Sequence, residues 1–187
     1  EAYATWISGF VLLVLVYYLN ASSMMLGNGS IQLSPLASIV ISILLLLGSW
    51  FLYDFICKSS SENSQQTLVV IGFLIFVIMS YLLTHIYGSR AAYIHVGAII
   101  GTLMAANVFR VIIPAQKNLV HAAEYNQKPD LSLSLEAKNR SIHNNYFTLP
   151  VLFIMISSHF SFTYGASYNW LILIIISIAG ILTRHYF

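Results

Sequence analysis

The runs IVISILLLL (residues 39–47) and LILIIISIAGIL (171–182) carry no charge and no alternation of apolar with polar residues. They constrain the chain more than any motif does. A strand that faced lipid on one side would alternate, so a membrane barrel is excluded, and a helix satisfies its backbone polar groups within its own segment. Composition agrees: 58% of the residues are hydrophobic and 7% charged, with a mean hydropathy of +0.80. Soluble domains carry about 25% charged residues, so most of this surface must face lipid.

Six apolar segments approach the ~20 residues that span a bilayer core. They run over 3–19, 35–56, 68–87, 91–113, 144–160 and 168–183. The expected fold is therefore all-α, a polytopic transmembrane bundle forming one domain over 1–187. Lys58, Arg110, Lys117, Lys128, Lys138, Arg140 and Arg184 fall at one side of these segments, and only Arg90 at the other. Positive charge stays on the cytoplasmic side, so both ends are expected there. That bias accounts for the net charge of +2, and no nucleic-acid partner is implied. Cys57 is the one cysteine, which excludes an internal disulfide and a C-x-x-C-H haem attachment. The chain starts at Glu1 and stops just after an apolar segment, which reads as a fragment. ASSMMLGNGSIQLS and KSSSENSQQ read as loops, and 114–140 as a cytoplasmic loop with two short helices broken at Lys128-Pro129.

The stretch RSIHNNYFTLP (140–150) raises the functional question. The apolar run from Tyr146 to Phe160 covers about 22 Å as a helix, too short to span. The helix must extend backwards, drawing His143, Asn144 and Asn145 into the membrane boundary. Unpartnered amides there would cost several kcal/mol, so they should face other helices or a wet cavity. Pro150 lies inside the same helix and frees the Tyr146 carbonyl. Either these groups cap the helix or they floor a ligand site.

In the fourth segment, Gly97, Gly101 and Ala105 form a small-residue stripe suited to close helix packing. His95, with Thr102 and Ala106 near its face, points into the bundle, and Asn107 lies about 120° away. An ionisable residue within a span is a functional candidate. His85, His95 and His159 fall in the outer half on three different segments, as candidate ligands of a b-type haem. Alternatively, they hydrogen-bond between helices. Arg90 and Arg110 are expected to snorkel to opposite interfaces, and Asp54 to pair with Lys58. Tyr3, Trp6, Trp50, Tyr53, Tyr87, Tyr168 and Trp170 suit an aromatic belt.

Three blocks, EAYATWISGFVLLVLVYYLN, AAYIHVGAIIGTLMAANVFRVIIPAQK and RSIHNNYFTLPVLFIMISSHF, resemble the membrane domain of bacterial membrane-bound urate hydroxylases, the urate oxidase N-terminal family. The resemblance covers nearly the whole chain. It implies an eight-helix domain, of which this chain supplies the central six, often followed by a cytochrome c domain. It also implies oxidation of urate to 5-hydroxyisourate in purine catabolism, with electrons passed to the haem of a fused or separate cytochrome c. Under it, His143 and His95 become candidate proton acceptors, and Asn144, Asn145, Tyr146, Thr148 and Asn107 candidate substrate contacts. Two places depart from the family pattern. Ser158 and Phe160 flank His159 where the family has Asn and Tyr, and Arg110 stands where an apolar residue is usual. The rival readings are a b-haem electron-transfer subunit and a small-anion transporter; the lack of an inverted repeat counts against the transporter.

Overall fold

The computed structural model describes residues 2–27, 31, 33–59 and 65–187. Parts of both loops read from the sequence, at 28–30, 32 and 60–64, lie outside the described residues. The fold is all-α, with no strand among the described residues. Six long helical stretches correspond to the six apolar segments. Helix α1 is Ala2–Leu13, extended by a π-helical turn over Val14–Tyr18. Helix α2 is Pro35–Ser59, with proline in the first position, where its missing N–H costs nothing. Helix α3 is Gln65–Ile86.

Helix α4 is continuous over Ser89–Glu124, with a π turn at Val108–Ile112 directly after Asn107. Helix α5 is Leu131–Ile156, and α6 is Asn169–Tyr186. Four of these, α2, α3, α4 and α6, are long and apolar enough to cross a membrane unaided. The stretch Tyr3–Tyr18 is apolar but shorter. Helix α5 has the length, but its first half is polar. The multi-pass character of the chain rests on these helices.

Two boundaries differ from the sequence reading. The two short helices expected within 114–140 are the ends of α4 and α5 themselves; only 125–130 are unwound. Tyrosine, asparagine and Lys-Pro interrupt the chain there, and Asp130 restarts it. Its carboxylate accepts from the N–H groups of Ser132 (2.9 Å) and Leu133 (3.4 Å), which otherwise lack partners at a helix start. The fifth segment stops being α-helical at Ile156 rather than Phe160, and Ser157–His159 tighten into a 3-10 turn.

Helix α4 is the centre of the bundle. It packs against α1, α2, α3 and α5, while α5 packs on α6 and α3 also touches α6. Ala91, Ala92, Tyr93, Val96, Ile99 and Ile100 of α4 are buried. Gly97 permits the closest approach: a Cβ there would sit 2.5 Å from Ile154 Cγ2 of α5. Gly101 has nothing within 4 Å of that position, so the small-residue stripe serves packing at Gly97 and not at Gly101.

Candidate functional site

Three helices bring polar side chains together at the basic end of the bundle: Tyr53 and Asp54 from α2, Asn107 from α4, and Arg140, His143 and Asn144 from α5. Their hydrogen bonds have a direction that can be derived. The Met104 carbonyl can only accept, so Asn144 turns its Nδ2 to it at 3.0 Å. That leaves Asn144 Oδ1 facing Asn107, which must present Nδ2 as donor, at 2.9 Å. The same Asn107 nitrogen donates to the Tyr53 hydroxyl at 3.1 Å. Tyr53, accepting there, sends its own proton to His143 Nδ1 at 2.7 Å. With Tyr53 donating, His143 accepts at Nδ1 and carries its own ring proton on Nε2, a donor on its other side.

Below this chain of bonds lies an ion-pair cluster. Arg140 is 1% exposed; its Nη2 meets Asp54 Oδ1 at 2.6 Å and Glu136 Oε1 at 3.4 Å. Lys58 holds the other Asp54 oxygen at 2.8 Å, as the spacing of the pair led one to expect. The Arg140 guanidinium also lies 4.8 Å from the centre of the Tyr53 ring. Two buried atoms of this cluster, Asn107 Oδ1 and Arg140 Nη1, have no partner among the described residues. An acceptor and a donor left over around one tyrosine is a combination that ordered water satisfies.

On the opposite flank of α5 opens a cavity of about 280 Å³, lined by Met104, Ser141, Ile142, Asn144, Asn145 and Thr148. Asn144, Asn145 and Thr148 thus line one cavity. His143 does not line this cavity; on a helix it sits roughly 160° from Asn145. Asn144 alone belongs to both groups. Thr148 donates to the Asn144 carbonyl at 2.9 Å and keeps its oxygen lone pairs free. Asn145 and Ser141 are exposed, and their side chains make no hydrogen bond to another described residue. Tyr146 leaves the group and bonds His185 Nδ1 of α6 at 2.8 Å.

The histidines of the other half are not assembled. His95 is 2% exposed, with Nδ1 donating to the Ala91 carbonyl at 2.7 Å and Nε2 unpartnered. The rings of Tyr87 (4.8 Å), Tyr17 (5.8 Å) and Tyr18 (6.3 Å) surround it. His85 and His159 are exposed, and His85 is tied to the Tyr81 carbonyl of its own helix. Among the described residues no three His, Cys, Asp or Glu side chains gather as a metal site. His95 is thus enclosed by tyrosine rings, whereas His85 and His159 face outward. Thr102, placed near His95 from the sequence, instead accepts from Trp6 Nε1 at 3.1 Å.

The urate oxidase N-terminal family model matches residues 1–187, the whole chain. The chain belongs to that family. No curated protein and no solved structure matches it. For this urate oxidase N-terminal chain, the polar cluster and its adjoining cavity are the candidate site. The departures at Ser158 and Phe160 lie outside it, beside the exposed His159. The Arg110 guanidinium lies over the Trp50 ring, 5.8 Å from its centre. Sequence reasoning missed Tyr53 as the hub, because a tyrosine near a helix end also suits an interfacial belt. The signal that could have found it was YDFICK (53–58), which puts a phenol and a carboxylate where an apolar run should simply end. Arg140, which the charge bias sets on the cytoplasmic side, is among the most deeply buried side chains in the bundle.

Proposed function

We propose that this chain is the membrane-embedded part of an oxidoreductase that oxidises urate, or a close purine relative, and passes the electrons to a c-type cytochrome. The balanced change is urate plus water to 5-hydroxyisourate, with two protons and two electrons released to two ferric haems. The observation that carries the reading is the cavity on α5 in a chain of this family. Its free hydrogen-bonding groups are amides and hydroxyls, and its walls are Met104 and Ile142. A flat purine presents alternating N–H and C=O groups at its edge, which a primary amide matches in two places at once. Asn145 is the side chain free to do so. Thr148 accepts, Ser141 does either, and Asn144 is held at a fixed orientation by Met104 and Asn107. Fixing a binding group in advance reduces the ordering cost on association.

In this reading the basic end faces the cytoplasm and the cytochrome partner works on the other side of an inner membrane. The test is urate-dependent cytochrome c reduction by membranes carrying the complete gene product. Asn145→Leu is expected to lower kcat/KM at least tenfold, about 1.4 kcal/mol of lost recognition. Well-expressed protein that consumes no urate would overturn the substrate assignment. One observation favours a second reading, carriage of the purine without oxidation: among the described residues, no titratable side chain lines the cavity. Uptake into vesicles with no product formed is the result that would select it.

A further inference from the structure

The described tyrosines differ in what their hydroxyls meet. Tyr18 pairs with Ser42 at 2.6 Å, Tyr87 donates to the Ser38 carbonyl at 3.0 Å, and Tyr93 to the Asn169 carbonyl at 2.6 Å. The three tyrosines round His95 meet its ring without a hydroxyl bond, since its Nε2 is unpartnered. Only Tyr53 and Tyr146 reach an imidazole nitrogen, and the Tyr146–His185 contact is exposed. Serines and carbonyls cannot take up a proton near neutral pH; an imidazole can. Tyr53 is therefore the sheltered phenol of this chain with a true base at hydrogen-bond distance.

We propose that Tyr53 is a redox-active residue, which gives one electron to a one-electron acceptor of the haem-protein class while its phenolic proton moves to His143 Nδ1. The O–H bond of Tyr53 breaks and an N–H bond forms on His143. The products are a neutral tyrosyl radical, an imidazolium and the reduced acceptor. Without the base, loss of an electron would leave a phenol radical cation in a medium that solvates charge poorly. With it, the ring stays neutral, and the proton crosses a bond already formed at 2.7 Å. Asn107 Nδ2–H remains directed at the phenolic oxygen throughout, at 3.1 Å. Arg140 over the ring and Lys58 together balance Asp54 and Glu136, so only one net positive charge appears, on the imidazole. In the reset, a reducing ligand supplies one electron to the Tyr53 radical, the imidazolium returns its Nδ1 proton to the phenolic oxygen, and the ligand leaves oxidised by one electron. That this ligand is a purine rests on the function proposed above; the chemistry of Tyr53 does not.

The test uses the purified chain in lipid nanodiscs, hexachloroiridate(IV) as one-electron oxidant, and freeze-quenched electron paramagnetic resonance. A tyrosyl signal is expected, at least fivefold weaker in Tyr53→Phe and in His143→Gln, and unchanged in Tyr146→Phe. A signal of parental size in Tyr53→Phe or in His143→Gln overturns the proposal. If Tyr53→Phe does not fold, the parent decides: oxidation at least twofold slower in D₂O supports coupled proton movement, and equal rates overturn it. Urate is then added to the radical. Rapid quenching supports both readings, whereas a Tyr53 radical that urate leaves untouched upholds this proposal and counts against the proposed substrate.

Discussion

Arg140 shows how much one side chain can decide in a bundle of this kind. It is the buried cation that holds Asp54 of α2 to α5, so its removal leaves a carboxylate in an apolar interface with Lys58 as its remaining partner. Breaking one side of a buried pair costs about 3 kcal/mol, and removing both sides costs far less. Arg140→Met is thus expected to be strongly destabilising in detergent-unfolding measurements, and Arg140→Met with Asp54→Asn to recover most of the loss. Independent, additive effects of the two substitutions would contradict the pairing. Glycine makes a second contrast. Gly97→Ala should cost about 1–3 kcal/mol, because its methyl group meets Ile154 with no room to retreat. Gly101→Ala, in open space, should be neutral or stabilise by up to about 1 kcal/mol, as alanine favours a helix. The same unfolding assay ranks the two.

At the level of elements, α5 carries both the site and its own start signal. Asp130 lies outside the spanning part, and its carboxyl is held below the ordinary carboxylate range by the Ser132 hydroxyl and by the Ser132 and Leu133 N–H groups. The unfolded chain therefore takes up that proton at a higher pH than the folded chain does. The cap's contribution is complete above the ordinary carboxylate pKa and is lost as pH falls through the lowered value. Amide exchange over 131–135 should accelerate as pH is lowered through that window, after correction for intrinsic rates. Asp130→Asn should flatten the dependence. The π turn of α4 acts on the site more directly. By widening the helix just after Asn107, it changes the angular relation between the residues before and after it, and π turns of this kind recur at functional positions.

For the whole molecule, the bundle is organised around α4, with a polar cluster toward its basic end and a tyrosine-caged His95 toward the other. The charge asymmetry predicts the topology. In a Cys57→Ser background, Asn126→Cys in the turn between α4 and α5 should react with an impermeant thiol reagent only from the cytoplasmic side. Ser167→Cys, in the turn before α6, should react only from the opposite side. Labelling of both from one side would contradict the orientation.

The sequence by itself determined the solvent, the class of fold and the family, because uninterrupted apolar runs and local blocks such as HNNY-x-TLP need no partner to be read. It also located the α5 polar entry and three of the cavity residues, Asn144, Asn145 and Thr148, since these lie within one turn or two of a single helix. What only the tertiary structure decided was which side chains answer one another across helices. Tyr53, Asn107 and His143 are up to 90 positions apart, and no periodicity along a chain encodes the rotation of one helix against its neighbour. The same limit explains His85, His95 and His159. Similar depth in the membrane suggested a shared site, but their directions around three helices send two of them outward and one into a cage of tyrosines. Depth follows from counting residues, whereas facing follows from packing, and the close contact of Gly97 with Ile154 helps set that packing for α4 and α5.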